Sequence, residues 1–464
     1  MATVADEIGP DAKAALAIGG AAALLKLARE SAGPIVEPTV DPARCIVTFV
    51  YHAKDGADSV GVLSPVFHGS RAPLDRIGDS QLFAASFTMP ATTRVSYRYL
   101  PNAGRRVRSK SFGAYSLPID DAEADPLNPI METRDLTSQR GKFIVSILTL
   151  PDARPVPSME VRPGTLVGAT QDLQLRSKLL GKRRRVSVYY PPGYERGQNY
   201  PLVVLIDGHQ SWWRAQTIFD NLSADRASPP FVAALINQHG CFSPPDAFVQ
   251  FLVEELVPLL ESRFAIGTEG QVIAGAGLGA LVAAYAGLRA PTCFSNVITI
   301  SPPFQSGTPK SVKDSSWWQG KVDGESESLI EKYAQATGPL PRRMYVGVGS
   351  FMGCDGSEAR AESGRFAEVL HQRGVDVRLD VDETLEDTIS ARAHLAYGLA
   401  WILAPRHWLL KIGKAVEDRS AGDLRVEPVH DASQAQPRAE LAIGRAWRGG
   451  PKREGKPPSI CTDP

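Results

Sequence analysis

The stretch that most limits what this chain can fold into is Gln271 to Gly287, QVIAGAGLGALVAAYAG. Val272 and Ile273 open it as a short apolar run of the buried-strand type. Gly275-Ala276-Gly277-Leu278-Gly279 then turns the chain tightly, because glycine reaches positive φ without a Cβ clash. Ala280 to Ala286 follows as an apolar run of helix formers. A strand that passes through one sharp turn into a helix belongs to a mostly parallel sheet covered by helices on both faces. The neighbouring sequence agrees. PLVVLIDG, FVAALIN, NVITIS and RRMYVGVGS are further apolar strands, continuous rather than alternating, as strands buried on both faces are. FVQFLVEELVPLLESRF and SGRFAEVLHQRG, stopped by Gly374, are amphipathic helices between them. VDVRLDVDE and HLAYGLAWILAP supply a last strand and a last helix, and QDLQLRSKLLG with RRRVSVYYPPGY an antiparallel lead-in.

The chain before Pro163 obeys a different pattern. Residues 1–40 hold an expected helix, Ala14 to Arg29, and a lead-in. The first residues carry acids where a secretion signal carries bases. From residue 41 to 150, CIVTFVYHA, DSVGVLSPVF, LFAASFTMP and RVSYRYLP are short β-type runs parted by turn residues, which predicts an Ig-like β-sandwich. A proline-rich linker is expected at 151–165, the helix-covered sheet at 166–405, and a mostly disordered tail at 406–464, where periodicity fades. The 464 residues carry 51 basic and 51 acidic side chains, so bulk charge gives no reason to expect nucleic acid as a partner. Five scattered cysteines form no C-x-x-C. That predicts neither a zinc site nor a disulfide framework, and a reducing, cytoplasmic setting. No stretch approaches the ~20 apolar residues of a membrane span. Nothing calls for a cofactor, because G-A-G-L-G lacks the Lys-Ser/Thr of a phosphate-binding loop.

Strand, glycine turn and helix are also the plan of the nucleophile elbow of α/β-hydrolases, G-x-S-x-G. Gly275 and Gly279 stand at its outer positions, and Gly277 stands where the serine belongs. Over roughly residues 33–405 the chain resembles the enterochelin esterase family. VTFVYHAKDGADSVGVL, RVSYRYLP and ADPLNP resemble that family's N-terminal domain. VSVYYPPGY, YPLVVLIDG, IFDNLSAD, the elbow, FSNVITISPPF and His394 resemble its hydrolase domain. The resemblance implies ester hydrolysis of ferric catecholate trilactones. It implies a nucleophile position at Gly277, oxyanion donors at Leu278 and Gly208, and His394 as general base. An acid is expected between elbow and histidine, with Asp355 as first choice and Glu358 as second. Three departures surround that site. The serine is missing, the glycines before the histidine are Arg392 and Ala393, and the family's Arg…Glu-Leu segment reads INQHGCFSPPDAFVQF.

Each feature also has a structural reading. Gly277 is comfortable in a strained turn, His394 can be the polar start of the last helix, and Asp355 a turn former. Asp207, His209, Trp212 and Trp213 follow a strand at its C-terminal end, where α/β ligands bind, yet paired tryptophans beside a core strand are as often packing. Lys182 to Arg185 reads as a charged hairpin tip. Ser301 and Ser350 end strands on the same edge but sit on no elbow. Two functions therefore stand open: a pseudo-hydrolase that binds a small-molecule ester, a ferric catecholate or a protein partner, and an active ester hydrolase with unusual residues.

Overall fold

Two sheets carry the chain, and the spacing of apolar residues accounts for both. The structure, a computed structural model, describes residues 3–4, 8–53, 56–64, 66–67, 71–102, 121–136, 141–208, 213–236, 245–267, 270–304, 328–349, 357–382 and 388–404. The described residues fall within a single unit, Met1–Leu409. The expected tail, 406–464, lies outside the described residues.

The first sheet holds β1 (Thr3–Val4), β2 (Ile35–Pro38), β3 (Arg44–His52), β4 (Val60–Leu63), β5 (Arg71–Arg76), β6 (Leu82–Pro90), β7 (Arg94–Pro101), β8 (Met131–Leu136) and β9 (Gly141–Thr149). Its order is β2-β3-β6-β5-β4-β7-β9-β8, with β1 on β6. Phe49 of β3 packs edge-on against Tyr97 of β7 with ring centroids 5.2 Å apart. Four pairings separate those strands along the path, about 19 Å in a flat sheet, so the sheet folds over on one aromatic core. Within that core Tyr97 donates to Asp125 Oδ2 at 2.6 Å and accepts from Asn128 Nδ2 at 3.0 Å. The ADPLNP segment is thereby anchored. Helix α1 (Pro10–Glu30) packs Leu24 and Ala28 against Ile35 and Val50. It begins four residues before the expected Ala14, because Pro10 and Asp11 are good first-turn residues, and it kinks at Gly19–Gly20.

The second sheet holds β10 (Ala169–Arg176), β11 (Arg183–Tyr190), β12 (Leu202–Ile206), β13 (Val232–Ile236), β14 (Val272–Ala276), β15 (Asn296–Ile300), β16 (Arg343–Gly349) and β17 (Asp376–Asp382). The order is β10-β11-β13-β12-β14-β15-β16-β17. The hairpin β10–β11 and its junction with β13 are antiparallel, and every pairing from β13 to β17 is parallel. Alternate residues face opposite ways. Val204, Ile206 and Ile273 meet Leu260 of α4 (Val257–Arg263), Leu281 of α5 (Leu278–Arg289) and Phe366 of α7 (Ser357–Gln372), with α3 (Pro245–Gln250) and α6 (Leu329–Gln335) on that side. Val203, Leu205 and Ile298 meet Phe219 of α2 (Ala215–Ala224) and Leu395 and Leu399 of α8 (Thr388–Leu403). Both faces are covered, as the continuous apolar strands predict. A π-helical turn, Phe251–Leu256, joins α3 to α4 immediately before Pro258, a residue without an N–H for the helix ladder.

Candidate functional site

The elbow keeps its backbone geometry. Gly277 follows β14 with φ 55° and ψ −122° and is the N-cap of α5. L side chains rarely adopt that conformation, so glycine is at ease there. Its N–H donates to Ile300 O at 2.9 Å, and its carbonyl accepts from Ala280 N at 3.0 Å. The outer glycines let strand and helix close up: a Cβ on Gly275 would sit 2.3 Å from Gly279 O, and one on Gly279 3.2 Å from Ile206 Cγ2. The Leu278 N–H, first in the helix, has no acceptor in the turn or its helix, as helix starts require.

Two neighbours share its positive φ. In the sheet β14 lies between β12 and β15, and the first residue past each of the three has positive φ: Asp207 at 55°, Gly277 at 55° and Ser301 at 48°. Only one of the three is glycine. The register pairs Ala276 with Ile300, so Gly277 and Ser301 are level, one strand spacing apart. Ser301 is 1% exposed, and its Oγ has no hydrogen-bond partner among the described residues. Sequence reading ranked Ser301 as an outsider because it lacks an elbow. Positive φ at a non-glycine residue is visible only in the structure.

His394 stands elsewhere. It is not the polar start of the last helix but an interior residue of α8, fully buried. Its ring lies against Gly347 of β16, where a Cβ would come within 2.6 Å of it. Gly347 pairs with Ile300, which puts β16 two strand spacings, about 10 Å, from the elbow strand. Tyr345 OH donates to Asp380 Oδ2 at 3.0 Å and lies 2.9 Å from His394 Nδ1. Arg154 holds Asp380 at 2.8 Å. The carboxylate can only accept, so the single tyrosine proton goes to Asp380 and His394 Nδ1 carries its own proton toward the tyrosine oxygen. Nε2 is left facing Asp382 Oδ2 at 3.6 Å, beyond hydrogen-bond length and without another partner among the described residues.

The electrostatics follow from burial and from those neighbours. Burial pushes His394 below its ordinary value against the pull of Asp382 and Asp380. Burial pushes Asp382 up, against the pull of His394. Burial acts the same way on Asp380, but Arg154, His394 and Arg378 together outweigh it and hold that carboxyl below its usual range. The corner therefore keeps an ionised Asp380 on Arg154 and a neutral histidine beside a carboxyl reluctant to ionise.

Other expected residues divide as follows. Trp213 is corrected: it is 1% exposed and packs with Phe219 and Phe231 in the core, so it stacks on no ligand. Gly208 is also corrected, since its N–H donates to Leu205 O at 3.2 Å and is not turned toward an oxyanion. Arg392 forms a buried ion pair with Glu132 of β8. Asp355, His209, Trp212 and Ser350 lie outside the described residues, and Glu358 outside those whose side chains are described. Among the described residues no group of His, Cys, Asp and Glu could hold a metal ion.

The comparisons with known proteins fit this picture. Residues 46–159 match the model of the enterochelin esterase N-terminal family, and residues 177–363 the putative esterase family. The iron(III) enterobactin esterase of Escherichia coli (strain K12) is 26% identical over 317 residues, 62% of this chain and 74% of that protein. The structure of ferric enterobactin esterase from Salmonella typhimurium superposes with a TM-score of 0.66 at 22% identity, covering 84% of this chain and all of that one. The enterobactin esterase of Shigella flexneri, solved in the presence of enterobactin, gives 0.62 at 22% identity, with 83% and 98% covered. These two structures bear on the fold alone.

Proposed function

The chain belongs to the enterochelin esterase family, and we propose that it is a pseudo-hydrolase of that family, which binds a ferric catecholate siderophore or its acyl fragments without hydrolysing them. The observation that carries the proposal is Gly277, which holds the elbow backbone and offers no hydroxyl. Without that alcohol the acyl-enzyme route of a Ser-His-acid triad is closed. The buried His394, with its free nitrogen toward Asp382, supports the same reading, since a general base must reach the proton it removes. The Leu278 amide contacts ligand in this proposal, with Asp207 at the end of the neighbouring strand and His209 and Trp212 as further residues to test. Relatives named as iron(III) enterobactin esterases and a neighbour solved with enterobactin supply the ligand class.

The domain plan in this reading is an Ig-like N-terminal sandwich at 41–150, a linker at 151–165 and an α/β-hydrolase domain at 166–405. The expected compartment is the cytoplasm, on the scattered cysteines. Among the described residues no helix is long and apolar enough to cross a membrane. Calorimetric titration of the native chain with a ferric catecholate trilactone, followed by chromatography of the mixture, tests the function. Binding with the trilactone intact is expected. Turnover, or stoichiometric labelling by a serine-directed phosphonate, would show an active hydrolase with another nucleophile.

A further inference from the structure

Ser301 carries two costs at once. Its backbone sits at φ 48°, and its hydroxyl is buried with no hydrogen-bond partner. An alanine would remove the second cost and a glycine both, since glycine takes positive φ freely. Buried polar groups are nearly always paired, and strained non-glycine residues gather where a ligand is held. Neither cost is offset in the free protein by a bond the hydroxyl makes. The amide of Ser301 donates to Gly347 O at 2.7 Å, which fixes the residue level with Gly277 on the neighbouring strand. One strand spacing separates a position that has lost its hydroxyl from one that holds an unused hydroxyl.

We propose that Ser301 is a ligand-contacting residue whose hydroxyl donates to an acyl oxygen, an ester carbonyl or a free carboxylate, lying over the elbow. This inference rests on the ligand-binding reading above and adds the atom that makes the contact. The class follows from the donors. The Leu278 N–H and the Ser301 O–H both seek an acceptor, and the positive-φ row 207, 277 and 301 contains no cationic side chain, which suits a single oxygen better than a phosphate. Ser301 serves binding here and not attack, because His394 Nε2 is turned to Asp382 of β17, two strands beyond β15.

The test is calorimetry of the full chain with 2,3-dihydroxybenzoyl-serine and with its methyl ester, on native protein, Ser301→Ala and Ser301→Gly, each with a melting curve. Affinity should weaken by roughly fivefold in both variants, the loss of one hydrogen bond, while the melting temperature stays level or rises. Weakening for the acid alone assigns the contact to a carboxylate, and equal weakening for both assigns it to a carbonyl. Native affinity in both variants overturns this inference and leaves the binding function standing. A melting temperature lowered in both variants assigns the hydroxyl to packing and overturns it as well. No binding by the native chain overturns both readings.

Discussion

The elbow and the His394 corner are held in opposite ways, one by its backbone and the other by its side chains. At the elbow Gly277 is the N-cap of α5 and donates its N–H to Ile300 O, with no side chain of its own. At the corner the contacts run between side chains from distant parts of the chain. His394 faces Tyr345 and Asp382, Arg392 reaches Glu132 on the first sheet, and Arg154 ties the connecting segment to Asp380. Backbone geometry at a turn follows from local glycines and the packing of one strand on one helix. A side chain's target follows from what happens to lie within reach, and one substitution redirects it.

The sharpest way to break this comparison is to cut the bond between the corner and the first sheet. Arg392 and Glu132 are both buried, so Glu132→Ala leaves a buried guanidinium without its carboxylate. A loss of about 3–5 kcal/mol is expected in chemical denaturation. Replacing both partners with apolar residues, Glu132→Leu with Arg392→Met, should recover most of it. A small loss for the single variant would show that α8 is not held by the first sheet.

Next comes Gly277→Ser, which separates backbone from chemistry. Serine must take φ 55° and ψ −122°, which should lower stability by about 1–3 kcal/mol. Activity should not return, because the histidine that would take the proton lies against β16 and faces Asp382 of β17, three strands from the elbow strand. Hydrolysis of an activated ester above the native background would mean that His394 reaches the elbow and that the two regions still work together.

These two sites also measure what was legible in the sequence. Glycine spacing and continuous apolar strands foretold the second sheet and its elbow, since both are local or periodic signals. Four further features, two around the first sheet and two in helices that cover the second, were readable and passed over. The alternation in FIVSILTL signals β9, and Pro10-Asp11 the true start of α1. Ser328 with Glu331 is a capping box that announces α6, and Pro258 marks the disturbed helix. The corner was not readable by any local rule. Glu132 and Arg392 are 260 residues apart, and Asp382 precedes His394 on the very strand and helix whose relative placement decides their contact. The row of positive φ at Asp207, Gly277 and Ser301 needs sheet order as well as sequence.

Acidification tests the corner by itself. Burial holds His394 below its ordinary value of 6.5, so the unfolded chain binds the proton more readily. Stability from the neutral histidine is complete above that value and falls as pH drops below it, by at most about 1.4 kcal/mol per pH unit. Asp382, shifted upward, works the other way at lower pH. Comparing denaturation at pH 7.5 and 5.5 should show a loss in the native chain and a smaller one in His394→Gln. An equal loss in both would place the acid sensitivity elsewhere.

The smallest effect is expected from Arg154→Met, and it sharpens the comparison most finely. The guanidinium lies 3.4 Å from the centre of the Tyr397 ring and 2.8 Å from Asp380, but its side chain is 41% exposed. Water screens it, and methionine keeps contact with the ring, so stability should fall by only about 0.5–1 kcal/mol. The informative change is in titration. Arg154 pushes His394 down, while Asp380 and Asp382 pull it up. Removing the cation leaves Asp380 with only the longer ion pair to Arg378, at 3.6 Å, and raises the histidine toward its unfolded value. The slope of stability between pH 7.5 and 5.5 should therefore flatten in Arg154→Met, although the residue touches neither ring nitrogen. An unchanged slope would mean that the corner is a set of separate contacts, and that the connecting segment has no electrical hold on the histidine.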